Sequence, residues 1–297
     1  MLKPVGTNWL RTLAAPHGTF SAGVFVRVFV FGLAATAVWL LHRNGTGVAS
    51  PVGYHEVAGA IVALSLALRA NTAHTRFWEG RTILGALVNA SRNLARLMEL
   101  HARLEPTRAR TVAKWIVIFA HVTRRRLRDQ KRSEEIDIHL TEEESTELRA
   151  ARHPSLHVAS KITALIREAG DEKRMSDMLV AQAEGLLATM VDCLGGCERI
   201  KKTPTAFGFM ILVRRCIVIF LATLPFALVK ELGPFTIVAT VLVAYPTLMI
   251  EAIANELDDP FGTDPNDLAV SRICAGIELD LLGSEPPPSG APPYLDD

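Results

Sequence analysis

The stretch FSAGVFVRVFVFGLAATAVWLL, residues 20–41, is apolar apart from Arg27. A helix rises ~1.5 Å per residue, so the run is long enough to cross the ~30 Å hydrocarbon core of a bilayer. Lys3 and Arg11 precede it and no small-residue cleavage site follows, so it reads as a retained membrane helix and not a removed leader. Three further apolar segments extend this reading. Val57 to Leu68 holds about a dozen apolar residues before Arg69, too few to span alone; it could span as part of a longer helix whose ends are shielded by protein or water. Ala206 to Val229 is apolar except for Arg214 and Arg215, and Leu232 to Ile250 has no charge. The turn-rich Asn44-Gly45-Thr46-Gly47 links the first pair, and Lys230-Glu231 with Gly233-Pro234 links the second.

Between these pairs the chain changes character. Hydrophobic residues make up 49% of the sequence and charged residues 21%, with mean hydropathy +0.23; this mixture fits a chain apolar in some places and highly charged in others. The net charge of +1 gives no reason to expect a nucleic-acid partner. From Arg69 to about Pro204, apolar residues recur at helical spacing: Leu84, Val88, Leu94 and Met98, then Leu179, Leu186, Met190 and Leu194. Thr141-x-x-Glu144 is a capping box, and Pro106 after Glu105 suits a first helical turn. The basic run Arg124, Arg125, Arg126, Arg128, Lys131, Arg132 and the acidic run Glu142 to Glu144 read as solvated surface. Cys193, Cys197, Cys216 and Cys274 lack zinc-type spacing and read as free, buried thiols.

The expected fold is all-α: residues 1–70 with membrane helices 1 and 2, 71–204 a cytosolic helical domain, 205–255 membrane helices 3 and 4, 256–283 a cytosolic C-terminal helix, and 284–297 a disordered Pro-rich tail. Basic residues concentrate in the middle section, and Arg69 and Arg76 lie beside a membrane end. The positive-inside rule therefore puts both termini and the middle section in the cytoplasm. A charge near the bilayer centre costs several kcal/mol. Arg27, Arg214 and Arg215 thus either snorkel from helix ends, line a hydrated path, or pair with the acidic stretch Glu251 to Asp259.

Three blocks carry a family resemblance. They are RANTAHTRFWEGR (residues 69–81), continuing through LVNASRNLAR (87–96); CERIKKTP (197–204); and Leu224-Pro-Phe with Glu231-Leu-Gly, followed by ELDDPFGTDPNDL (256–268). Together they resemble the prokaryotic branch of the bestrophin family in order and spacing over roughly residues 20–283. The resemblance implies a homopentamer with one central pore in a bacterial inner membrane. Each subunit would contribute four membrane-embedded segments and a cytosolic helical bundle, and small anions such as chloride would permeate. The second segment would line an apolar neck at Ala60, Leu64 and Leu68, which fall four apart along one helix face. Relatives carry a bulkier residue where Ala60 stands and Phe where Leu68 stands, so the neck here is smaller-ringed and its selectivity open; sodium or potassium is the alternative permeant. A second constriction would lie near Leu179, to within a residue or two.

The acidic block also resembles the calcium clasp of animal members, with Asp264 and Asp267 at the ligand positions and Asp259 nearby. Pro265 and Asn266 stand where the animal pattern is acidic. No metal is therefore expected, and Asp264 and Asp267 read as caps of the helix that follows. No H-E-x-x-H, G-x-S-x-G or P-loop pattern occurs, and no spacing pairs His55, His74 and His121, so neither an enzyme nor a cofactor is expected. A non-conducting membrane scaffold is the remaining alternative.

Overall fold

The computed structural model describes residues 22–102, 104–130 and 134–283; the Pro-rich tail and the start of the first apolar run lie outside them. Among the described residues every regular element is a helix: α1 (Ala22–Arg43), α2 (Gly53–Leu100), α3 (Pro106–Leu127), α4 (Glu134–Asp137), α5 (Glu142–Ala150), α6 (Pro154–Asp171), α7 (Asp177–Lys202), α8 (Phe207–Leu232), α9 (Phe235–Asp258) and α10 (Val270–Leu282). They form two compact units, Met1–Thr75 with Pro204–Asp258, and Arg76–Thr203 with Asp259–Asp297. The sequence divisions stood at 70, 204 and 255. The short apolar run 57–68 is explained by α2, a 48-residue helix that begins in the first unit and continues past Thr75 into the second.

The first unit packs α1, α8 and α9 against one another and against the start of α2. Its core is thin and aliphatic: Val24 and Val28 of α1, Val62 and Leu66 of α2, Ile217 and Leu221 of α8, Ala244 and Leu248 of α9. Gly32 lets α1 approach α9, since a Cβ there would stand 3.3 Å from Val241 Cγ2. Large apolar side chains such as Phe29, Leu33, Ile219 and Leu242 remain exposed, the pattern of a unit whose solvent is lipid. Hydroxyls inside the apolar helices donate to the carbonyl four residues back, as Thr36 does to Gly32 and Thr240 to Thr236. The turn after α8 closes on Gly233, whose φ of 52° is the left-handed region that glycine tolerates.

The second unit has a dense core. Leu94 and Met98 of α2, Ile116 and Phe119 of α3, Ile162 and Ile166 of α6, Met190 and Leu194 of α7, Ile277 of α10 and Phe261 of the segment before it pack in one cluster. The capping box forms: Glu144 N donates to Thr141 Oγ1 at 3.2 Å, and Thr141 N donates to Glu144 Oε2 at 2.9 Å. Pro106 occupies the first turn of α3. Among the described residues, five helices are long and apolar enough to cross a membrane by length and composition, and α7 is one of them. It belongs to this bundle instead: its apolar face is in the core, and its last turns carry ion pairs from Glu198 to Arg126 and from Arg199 to Glu79.

The basic run is more than solvated surface. Arg124 is buried, Arg126 holds Glu198, and Arg128 donates to Ser271 Oγ at 2.8 Å and to the Phe261 carbonyl at 3.4 Å. Placed at the end of α3, Arg128 tethers the segment that leads into α10.

Candidate conduction path and its supports

Within the first unit, α2 has two unlike faces. Val62, Leu66, Arg69 and Ala73 are buried, while Ala60, Leu64 and Leu68 are exposed. Leu64 is 64% exposed and Leu68 52%. The three stripe positions span about 12 Å of helix axis at ~1.5 Å per residue. Three oriented contacts fix the rotation of the helix. Near its start, His55 Nε2 and Thr223 Oγ1 of α8 lie 2.9 Å apart. In the middle, the Val62–Leu66 face joins the core. One residue beyond Leu68, Arg69 is 2% exposed; its Nη1 donates to Thr205 Oγ1 at 3.1 Å and stands 3.4 Å from Asp258 Oδ1, to which Thr205 Oγ1 donates at 2.5 Å. This buried knot joins α2 to the entry of α8 and the exit of α9.

Within the second unit, the motif blocks meet. Arg76 Nη2 donates to the Ile200 carbonyl at 2.7 Å and Nη1 to that of Thr203, a guanidinium satisfying the orphan carbonyls at the C-terminus of α7. Gly80 lies flat against the acidic block: a Cβ there would stand 3.2 Å from both Phe261 Cζ and Leu268 Cδ1. Leu179 is half-buried and packs on the core, whereas Met178, one residue before it in the first turn of α7, is 81% exposed.

The block after α9 folds back on itself. Asp267 Oδ2 accepts from Asp264 N at 2.7 Å, and Leu268 N donates to the Pro260 carbonyl at 2.9 Å. The expectation that Asp264 and Asp267 cap the next helix is corrected here. The N-cap of α10 is Ala269, without a side-chain bond, because Asp267 is spent closing its own turn. Among the described residues, no group of three or more His, Cys, Asp or Glu is placed to hold a metal ion, and Asp259, Asp264 and Asp267 form no such group.

The family model described as "Bacterial/Fungal Bestrophin protein" matches residues 1–283. This chain belongs to that bestrophin family. Among its relatives, the "voltage-dependent anion channel-forming protein YneE" of Salmonella typhi is 32% identical over 281 residues, 93% of this chain and 91% of the relative. The "voltage-dependent anion channel-forming protein alr2987" of Nostoc sp. is 31% identical over 278 residues, 92% of this chain and 91% of the relative. A crystal structure of a bacterial bestrophin homologue from Klebsiella pneumoniae, bearing a single mutation, has TM-score 0.84 at 27% identity, covering 89% of this chain and 100% of that one. A second, solved with zinc phasing, has TM-score 0.84 at 27% identity, covering 88% and 97%. The fold is thus the all-helical, multi-pass membrane fold of bestrophin homologues.

Several supports of this bestrophin-family chain were invisible to spacing alone. Arg27 and Arg214 both turn toward Glu251, so the ion-pair alternative holds for these two arginines. His121 does have a partner: its Nε2 lies 2.9 Å from Glu278 Oε2, and His139 Nε2 lies 2.9 Å from the other oxygen. Burial alone would raise the Glu278 carboxyl, but hydrogen bonds from both imidazoles outweigh it and hold it below the usual carboxylate range. The signal available in sequence was an acid in an otherwise apolar helical stripe; a partner 157 residues away was not.

Proposed function

We propose that five copies of this chain assemble around a shared axis as an anion channel, with Ala60, Leu64 and Leu68 of each copy ringing an apolar neck. The carrying observation is the division of α2 into a buried, anchored face and an exposed aliphatic stripe. Fivefold symmetry turns each stripe position into a ring. Rings of Leu offer an ion no ligands, so conduction depends on wetting, and dewetting closes the path. With Ala60 in the first ring, the narrow part of the neck reduces to Leu64 and Leu68. Relatives named as voltage-dependent anion channel-forming proteins favour small anions such as chloride as the permeant species.

In the same reading the second unit and both termini lie in the cytoplasm of a bacterial inner membrane, on the side where Arg69 and Arg76 flank the membrane. The constriction expected near Leu179 is assigned to Met178 or Leu179, with Met178 favoured because its side chain is the exposed one.

The test is the reversal potential of purified protein in planar bilayers under a potassium chloride gradient. The proposal expects a shift toward the chloride equilibrium value. A shift toward potassium would make the permeant a monovalent cation, and silent oligomers that stay silent with Leu64 and Leu68 both changed to Ala would leave a scaffold.

A further inference from the structure

Arg27 of α1 and Arg214 of α8 share one carboxylate. Arg214 Nε donates to Glu251 Oε1 at 2.6 Å and its Nη2 to Asn255 Oδ1 at 2.8 Å, while Arg27 Nη1 stands 3.8 Å from Glu251 Oε2. Glu251 is 8% exposed at the side chain; Arg27 and Arg214 remain 55% and 46% exposed. These three residues form the head of a cleft of about 300 Å³ whose walls are apolar, chiefly Val26, Val30, Phe31, Val218 and Leu248.

Two physical features select the occupant. The first is depth. Arg214 follows the start of α8, and Glu251 precedes the end of α9, by roughly 10 Å at ~1.5 Å per residue, and Arg27 stands beside Glu251. In a membrane helix that is the boundary between headgroups and acyl chains, where arginine reaches outward from an apolar stem. The second is charge. Two guanidiniums against one carboxylate leave one positive charge at the mouth of an apolar groove, and a single phosphodiester supplies the missing negative charge. A free inorganic anion would satisfy the head but leave the apolar walls uncovered.

We propose that this cleft binds one phospholipid of net negative charge, its phosphate on Arg27 and Arg214 and an acyl chain along Val30, Phe31 and Val218. The site lies on membrane-spanning helices and does not depend on the pore reading. Arginine near an anionic headgroup is worth roughly a fivefold gain in binding.

Native mass spectrometry of the full-length oligomer in detergent, titrated with dioleoylphosphatidylglycerol or dioleoylphosphatidylcholine, tests it. The wild type is expected to hold the glycerol lipid roughly fivefold more tightly than the choline lipid. R27Q should lose the preference, R27K should keep it, and V30W, which fills the groove, should lose both adducts. Wild-type binding in both R27Q and V30W would overturn the site. Equal displacement by millimolar inorganic phosphate would assign the head to a free anion, and dissociation of the oligomer by V30W would assign the groove to a subunit interface; either overturns the lipid. If R27Q does not fold, R27K and V30W still decide. Ion flow is not read, so failure here leaves the channel proposal standing.

Discussion

Arg69 is the side chain on which the orientation of α2 turns. It is almost fully buried in an apolar unit, where a charge persists only with a partner, and Asp258 and Thr205 supply it. Arg69→Met should remove the charged member of this buried pair, costing about 3–5 kcal/mol. Thermal unfolding of the solubilised protein checks this; a loss under about 1 kcal/mol would mean that the knot does not hold the helix. Glu198 sets a different dependence. Burial by itself would raise its carboxyl, but hydrogen bonds from Arg126 and Lys202 and their charges outweigh it and lower it to about 2. A depressed carboxyl stabilises the folded state above its unfolded value near 4.5, and that contribution is lost as pH falls toward 2. The wild type should therefore lose stability over that acid range more steeply than Glu198→Gln, measured as unfolding midpoint against pH.

At the scale of elements, α2 carries the proposed neck and α7 the instructive ambiguity. Trimming Leu68 to Ala should widen and wet the neck and raise single-channel conductance severalfold, and Leu68→Phe should lower it. Unchanged conductance in both would place the narrow point elsewhere. The membrane helices were legible because hydrocarbon demands long apolar runs, and the fold was legible in the Arg-Phe-Trp-Glu-Gly and Asp-Pro-Phe-Gly blocks. Their physical role emerges only in three dimensions: Gly80 has no side chain so that Phe261 and Leu268 can close on it. Gly80→Ala should cost about 1–3 kcal/mol through overpacking. What sequence could not give were pairings across long separations, such as Arg69 with Asp258 and His121 with Glu278, since periodicity reports faces and not partners. Hydropathy likewise could not separate α7 from a spanning helix, because a buried bundle helix and a membrane helix bury similar side chains.

For the whole molecule, the proposed assembly would give the exposed stripe its purpose. α2 also presents Trp78, 64% exposed, about four turns beyond Leu64. A large exposed aromatic at such a position is the residue type that anchors interfaces. Trp78→Ala should weaken the oligomer by about 2 kcal/mol or more, seen as smaller species in native mass spectrometry. The central claim, that Ala60, Leu64 and Leu68 line the conduction path, is tested most directly by single cysteines in a Cys216→Ser background, probed with a charged methanethiosulfonate reagent during bilayer recording. Leu64→Cys and Leu68→Cys should be modified from the aqueous side and change the current, while Val62→Cys and Leu66→Cys, on the buried face, should not. Current unaffected by the reagent at both 64 and 68 would contradict it.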